Sequence, residues 1–424
     1  MPLKDILNVV ITDENESKTI ACEIKNLSSK QEPVSKSSRV CNFDDDDTLG
    51  VPRIKVIGVG GAGNNIIDFL ENLRSWPTYV DLWAMNTDKK TLSRLKKKEI
   101  NANLFLLGAQ RLKGFGSGGD PNIGKEAFNE NKSELEKIFV DTDVVFVIAG
   151  LGKGTGSGAG PEIAKIAKEK GITTIGIITM PSIRIEGEKT YENAFESKKE
   201  FMQNCDSVCT IFNDKIVDQI TNSTFFTQLE QGNKEIGSVV NDFVDIISGA
   251  GEINIDFNDL KSFLAGNDNI KGNKSFFHLR FNVDDEANSF ADLEKLLKDK
   301  INSSYSNGDF STEQINALIN FKLGKNNKSD LVVNIKTILT NIASSKNIKV
   351  VYGIENILET TSEISIFIST NEITNYTPVK QEENKTAIVE DESFQVFSAK
   401  VVDFDNNKTK NISKLLFGFD EEEN

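Results

Sequence analysis

The sequence predicts an α/β protein that opens with a parallel sheet, and three observations carry that reading. Ile54-Lys55-Val56-Ile57-Gly58-Val59 is an apolar run of strand length that leads into a glycine turn. Ile66, Ile67, Phe69, Leu70 and Leu73 then recur at helical spacing, and a second strand, Val80 to Met85, follows. A strand–helix–strand unit of this kind closes into a parallel sheet that offers a ligand site at the carboxyl ends of its strands.

The unit repeats further on. Val144 to Ile148 reads as a strand, Pro161 to Lys170 as a helix with proline in its first turn and Gly171 just past its end, and Ile172 to Thr179 as the next strand. After Phe225 a long amphipathic helix is marked by Ile236, Val239, Val240, Phe243, Val244, Ile246 and Ile247, and it stops at Gly249-Ala250-Gly251. From Asp256 the pattern changes to separate helices (Leu293 to Ile301, Val333 to Ile342) and strands (Ile348 to Tyr352, Glu363 to Ser369), the mark of a second, α+β domain. Residues 15 to 50 and those beyond about 376 are polar and charged, with apolar islands at Phe394 to Val402 and Leu415 to Phe419. The expected division is an N-terminal extension (1–50), a nucleotide-binding domain (51–225), a central helix (226–250), an α+β domain (251–375) and a tail ending in a short peptide (376–424).

Composition narrows the function. A chain of 424 residues with 38% hydrophobic content can build sizeable cores. Its 64 acidic and 49 basic residues give a formal charge of -15, which repels nucleic-acid phosphate. The richest basic run, Arg94 to Lys98, is interrupted by Leu95 and reads as a solvated helix face. Cys22, Cys41, Cys205 and Cys209 lack the spacing of a zinc site or a disulfide framework. His278 is the only histidine, so multi-histidine metal sites are excluded, and its place after Phe276 and Phe277 reads as structural. The amino end lacks the pattern of a signal peptide, and no apolar run approaches the roughly 18 residues of a membrane span. A cytoplasmic protein without direct membrane insertion is the expectation.

Chemistry is carried by glycine. Gly58-Val59-Gly60-Gly61-Ala62-Gly63 fits GxGxxG between a strand and a helix, where backbone amides and the helix dipole receive a phosphate. That turn alone would equally suit a nicotinamide-dependent oxidoreductase. A second cradle, Gly150-Leu151-Gly152-Lys153-Gly154-Thr155-Gly156-Ser157-Gly158, also follows a strand and precedes a helix, and a dinucleotide enzyme does not need it. It is not a P-loop, because Gly154 follows Lys153 where Ser or Thr is required. A third cluster, Gly114 to Gly119, runs into Asp120-Pro121, a helix cap.

These residues, in this order and spacing, resemble the nucleotide signatures of the FtsZ family, the tubulin-like GTPases of bacterial cell division. Asn86-Thr87-Asp88, Glu186-Gly187, Asn213-Asp214-Lys215 and Asn254-Ile255-Asp256-Phe257-Asn258-Asp259 extend the likeness, which covers about residues 53 to 375. The resemblance implies a tubulin/FtsZ-like fold, with a Rossmann-like parallel-sheet GTPase domain, a long central helix and a second α+β (activation) domain. It implies that Gly61, Ala62, Gly63, Asn64 and Asn65 line a guanine nucleotide, that Gly154, Thr155 and Gly156 hold its phosphates, that Glu186 lies near the ribose, and that Gly60, Gly118, Gly152 and Lys153 also belong to the binding set. Thr190, Asn213 and Asn233 complete the implied set for GTP or GDP, with Mg2+ carried by the nucleotide and no protein metal site. Asn254, Asp256 and Asp259 resemble the loop that activates hydrolysis in the next subunit of a head-to-tail homopolymer, although Asp256-x-x-Asp259 alone also reads as a simple helix cap.

The chain departs from the family pattern at several points. Thr190 stands in place of an arginine, Lys153 in place of a glycine, Leu229 in place of a base-stacking aromatic, and Asn233-Lys234 in place of a pair with an acid. A carboxylate suits the two donors of guanine better than one amide oxygen, so guanine selectivity is weaker than nucleotide binding in this reading. Lys153 directed toward the phosphates and Lys153 directed to solvent are both open. By position, Ile412 to Phe419 resembles the family's terminal peptide for membrane-linked division partners at mid-cell. The rival readings are a nucleotide-binding structural polymer with weak hydrolysis and the oxidoreductase.

Overall fold

From Ile54 to Phe212 the chain lays down six strands: β1 (Ile54–Val59), β2 (Val80–Asn86), β3 (Asn103–Leu106), β4 (Val144–Gly150), β5 (Thr173–Met180) and β6 (Ser207–Phe212). All are parallel, in the spatial order β3-β2-β1-β4-β5-β6. The structure, a computed structural model, describes residues 50–371 except 221–223, 250, 266–273, 285–288, 307–313, 326–329 and 343–346. Residues 372–424 and the N-terminal extension up to residue 49, with Cys22 and Cys41, lie outside the described residues.

Twelve helices are described: α1 (Gly60–Leu73), α2 (Lys89–Lys97), the single turn α3 (Ala109–Leu112), α4 (Pro121–Ile138), α5 (Gly154–Glu169), the single turn α6 (Ile183–Glu186), α7 (Glu188–Asn204), α8 (Asn213–Gln219), α9 (Phe225–Ser248), α10 (Phe257–Ala265), α11 (Phe290–Asn302) and α12 (Asp330–Ile342). Strand β4 shows why the first strands read as unbroken apolar runs. Phe146 and Ile148 face a core shared with Ile66, Ile67 and Leu70 of α1 and Val239, Val240 and Phe243 of α9. Val145 and Val147 face the opposite core, with Phe128 of α4, Ile163 of α5 and Phe201 of α7. A strand covered on both faces has no polar side.

The sheet continues through β7 (Lys274–Val283), β8 (Gln314–Leu323), β9 (Asn347–Asn356) and β10 (Ser362–Asn371) in the order β7-β10-β8-β9. Here β10 runs antiparallel to β7 and β8, while β9 is parallel to β8. Helices α11 and α12 cover one face of these strands through Leu293, Leu297, Ile335 and Ile338. Phe243 of α9 joins the two halves, its ring centroid 5.8 Å from that of Phe146 and 4.0 Å from that of Phe367 on β10. The outcome is a mixed, mostly parallel sheet with a long helix lying against it.

One helix boundary and several strands differ from the sequence reading. The helix expected over 161–170 begins at Gly154, and Pro161 lies inside it. Its glycines act by permitting close approach: a Cβ on Gly158 would lie 1.9 Å from the Pro121 carbonyl oxygen, and one on Gly160 would lie 2.6 Å from the Phe201 ring. Strands β3, β6, β7 and β8 were not anticipated: β3 is four residues long, β6 mixes Ser207 and Thr210 with apolar residues, and β7 carries apolar residues on both faces. Among the described residues no helix is long and apolar enough to cross a membrane. Arg94 and Lys96 to Lys98 are exposed around the buried Leu95, as the interrupted basic run requires.

Candidate functional site

The order β3-β2-β1-β4-β5-β6 reverses direction between β1 and β4, and a doubly wound sheet opens a crevice at such a point. A cavity of about 830 Å³ occupies it, above the carboxyl ends of the strands. Helices α1 and α5 both begin there, from Gly60 and Gly154. Neither helix has a side-chain cap on its first amides or an acid in its first turn. Two positive helix ends therefore face one space, with N–H groups that an anion can take up.

Glycine is required where the two turns meet. Gly60 has φ +76°, and a Cβ there would come within 2.9 Å of the Gly156 nitrogen. The neighbouring wall is a buried hydroxyl cluster: Thr155 Oγ1 lies 2.7 Å from Thr87 Oγ1 and 3.2 Å from Ser117 Oγ. At the mouth, Lys153 Nζ lies 3.0 Å from Glu186 Oε2, with the lysine side chain 71% exposed. On the far side α9 contributes Leu229, Gly232, Asn233 and Ile236, and Asn213 enters from the start of α8. The cavity thus combines an anion-binding floor with an apolar wall of Ile66, Val217 and Ile236, as a nucleotide of phosphates and a flat base requires.

Residues 53–221 match the family model described as the Tubulin/FtsZ family, GTPase domain. The cell division protein FtsZ of Aquifex aeolicus is 38% identical over 218 residues, which is 50% of this chain and 56% of that protein. The FtsZ of Coxiella burnetii is 36% identical over 217 residues, 50% of this chain and 54% of its own length. In three dimensions the chain superposes on an empty FtsZ dimer structure from M. jannaschii with a TM-score of 0.63 and 25% identity, over 82% of this chain and 92% of that one. This is an FtsZ-like protein. It spans about half the length of the curated FtsZ relatives it matches. CetZ2 from Haloferax volcanii, solved as a GTPγS-bound protofilament, shares the fold with a TM-score of 0.62 and 18% identity, over 76% of this chain and 94% of that one.

Within this FtsZ-like chain the cavity gathers Gly60, Gly61, Ala62, Asn65, Gly118, Lys153, Gly154, Thr155, Gly156, Glu186, Asn213 and Asn233. Four other residues of the implied set do not line it. Asn64 is buried, with its amide donating to the Gly58 and Met85 carbonyls and its Oδ1 accepting from Asn86, so it ties β1 to β2. A Cβ on Gly63 would lie 2.6 Å from the Ile148 carbonyl oxygen, which makes it a contact between α1 and β4. Gly152 has φ +101° and donates its N–H to Ser157 Oγ at 2.7 Å. Thr190 turns away to donate to the Glu186 carbonyl at 2.8 Å. Lys234 also lies outside the cavity, 3.6 Å from Glu230 on the preceding turn.

Asn254, Asp256 and Asp259 stand elsewhere. Asn254 Oδ1 accepts the Gly251 N–H at 3.0 Å just past the left-handed Gly249 that ends α9, and Asp256 caps α10 by accepting the Asp259 N–H at 2.7 Å. The cavity touches α9 near its start, whereas these residues follow its end. About 20 Å of helix separates Ile236 from Gly249 at 1.5 Å per residue, so the three side chains do not reach the cavity of their own chain. Thr87 and Ser117 were not singled out as site residues in the sequence, since their hydroxyls join Thr155 from 68 and 38 residues away. Among the described residues no group of three or more His, Cys, Asp or Glu could hold a metal. A divalent ion arriving with a nucleotide would rely mainly on phosphate oxygens and water, as Mg2+ commonly does.

Proposed function

We propose that this chain binds GTP or GDP in the cavity, assembles head to tail into cytoplasmic filaments of the division site, and hydrolyses GTP at the junction between subunits. The observation that carries the reading is the placement of two half-sites at opposite ends of α9. One end holds the anion cradle of Gly60, Gly154 and Thr155. The other presents Asn254, Asp256 and Asp259 on a segment where Asn254 and Asp256 are exposed. In a head-to-tail row, the carboxylates of one subunit meet the triphosphate of the next and orient a water toward the γ-phosphate. Mg2+ supplies charge neutralisation on the phosphates when it is bound. Names of the relatives support the same direction, since they include division proteins and a nucleotide-bound protofilament.

Mixing decides the reading. Asp259→Ala alone should bind GTP yet lose most hydrolysis, and hydrolysis in the normal chain should rise steeply with protein concentration. A chain with an intact cavity but Asp259→Ala, mixed with one that keeps Asp259 but carries a blocked cavity, should regain turnover that neither shows alone. Hydrolysis independent of concentration, or unchanged in Asp259→Ala, would refute the shared site.

A second reading, a nucleotide-binding polymer that hardly hydrolyses, is favoured by the engagement of Glu186 with Lys153 and by Leu229, which offers no aromatic face to a base. GTP and ATP turnover measured beside light scattering separates the two, since scattering without turnover selects the second. The peptide Ile412 to Phe419 is proposed to engage membrane-linked division partners; removing residues 409–424 should abolish recruitment to the membrane without affecting assembly.

A further inference from the structure

The two most exposed of the large apolar side chains described are Phe115, at 86%, and Leu358, at 79%, and they stand toward opposite ends of α9. Phe115 lies beyond the carboxyl end of β2, where it lines the large cavity that touches the start of α9. Its backbone is fixed: the Lys89 N–H donates to the Gly114 carbonyl at 3.0 Å, the Phe115 N–H to the Leu112 carbonyl at 2.9 Å, and the Gly116 N–H to the Thr87 carbonyl at 3.1 Å. Leu358 lies in the turn between β9 and β10. That turn is held to the segment after α9, since Ile253 and Ile354 exchange backbone hydrogen bonds of 3.2 and 2.9 Å and Glu252 accepts the Asn356 side-chain amide at 2.7 Å. Leu358 therefore shares an end of the fold with Asn254 and Asp256.

The charges around the two residues are opposite in sign. Phe115 also borders a second cleft, of about 460 Å³, whose lining includes Lys89, Lys90, Arg94, Lys97 and Lys113. Among the described residues none of these five cations has an acidic partner, and Arg94 donates only to the Asn65 amide oxygen, at 2.8 Å. Leu358 is flanked in the chain by Glu355 and Glu359, with Glu252 bound to the same turn through Asn356. None of these three acids forms an ion pair with a described residue. One end of the fold thus holds an aromatic ring in water beside unmatched cations, and the other an aliphatic side chain in water beside unmatched carboxylates.

We propose that these two surfaces bind each other between copies of the chain: Leu358 of one subunit packs on Phe115 of the next, and Glu252, Glu355 and Glu359 face the lysines and Arg94 of the cleft. Surfaces at opposite ends of one fold cannot pair within a chain. Between copies they form a contact of two different patches, which repeats into a row. Complementary charge steers the encounter and fixes its register, while the apolar pair excludes water at the centre. Continuity is a further argument, since Phe115 lines the large cavity and the turn of Leu358 is bonded to the segment that carries Asn254. The inference rests on the head-to-tail reading above, and adds to it the side chains that hold neighbouring subunits together beside the nucleotide.

Charge reversal at each end of the full chain tests it, with assembly at saturating GTP followed by light scattering and sedimentation. The parent should assemble above a threshold concentration. Lys97→Glu/Lys113→Glu reverses the cleft at residues that do not line the large cavity, and Glu355→Lys/Glu359→Lys reverses the turn. Each variant alone sets like charges against each other and should raise the threshold about tenfold. An equimolar mixture of the two should assemble close to the parent's threshold, because reversed cleft then meets reversed turn and native cleft meets native turn. Leu358→Ser should melt like the parent and still raise the threshold severalfold. A parent that never assembles would overturn the head-to-tail reading, and this contact with it. Parental thresholds in both charge variants, in a parent that does assemble, would overturn the contact alone. Weakening at each end without recovery in the mixture would also overturn it, since net charge and not pairing would then govern assembly.

Discussion

His278 Nε2 lies 2.9 Å from Asp242 Oδ2, and because a carboxylate only accepts, that ring nitrogen carries the proton. The same carboxylate accepts from Arg280 at 3.0 Å and from the Ser365 hydroxyl at 2.6 Å. Asp242 is on α9, His278 and Arg280 on β7, and Ser365 on β10, so one buried anion fastens the long helix to the second half of the sheet. Burial opposes its charge, but the His278 hydrogen bond, the His278 and Arg280 charges and the Ser365 hydroxyl together bring its pKa down to about 2. A carboxyl depressed in the folded state contributes stability that is complete above its unfolded pKa of roughly 4 and is lost as pH falls toward 2. Asp242→Asn should lower stability by about 3 kcal/mol at neutral pH and flatten the loss of stability between pH 4 and 2. Urea titrations at several pH values measure both effects.

Gly158 and Gly61 belong to neighbouring glycine-rich stretches and should respond in opposite ways. A Cβ on Gly158 would sit 1.9 Å from a carbonyl oxygen of α4, and backbone on both sides must shift to admit it. Gly158→Ala should cost on the order of 3 kcal/mol of folding stability. Gly61 has nothing within 4 Å of its would-be Cβ and no positive φ, yet it lines the cavity. Gly61→Ala should therefore melt like the parent while binding GTP less tightly, which melting curves and equilibrium titration of the two variants will show.

The contrast also marks what was legible beforehand. Strands β1, β4 and β5 could be read because both faces are covered, and the end of α9 because a left-handed residue at Gly249 needs glycine. The cap at Asp256 was readable from a three-residue spacing. Position 64 was read as a ligand contact because it is a polar residue inside a phosphate-binding turn, whereas here its amide donates to the Gly58 and Met85 carbonyls and so bridges β1 and β2. Thr87 and Ser117 were hidden for another reason: their shared partner Thr155 is brought close only by the folded sheet.

That hydroxyl cluster yields a binding prediction. Thr155 Oγ1 has one hydrogen and is shared between Thr87 and Ser117, at the first turn of α5 where anions are drawn. Thr155→Val keeps the shape but leaves two buried hydroxyls short of a partner. A loss of about 1–2 kcal/mol in GTP affinity should follow, roughly five- to thirtyfold, measured by calorimetry. Ser117→Ala removes the longer of the two contacts and should cost less.

Lys153 provides the last test, because its ammonium can exchange Glu186 for a phosphate. The lysine end of the pair is exposed, so breaking it costs little on its own. A triphosphate entering between the two helix ends brings several negative charges to within the lysine's reach, while Glu186 at the same mouth repels them. If Lys153 follows the phosphates, Lys153→Ala should weaken GTP binding severalfold, leave guanosine binding unchanged, and reduce the dependence of GTP affinity on salt. Glu186→Gln should tighten triphosphate binding when Lys153 is present, by freeing the lysine. Equal affinity of Lys153→Ala and the parent for GTP at low salt would show instead that the lysine stays with Glu186 or with solvent, and that backbone amides at Gly60 and Gly154 hold the phosphates unaided.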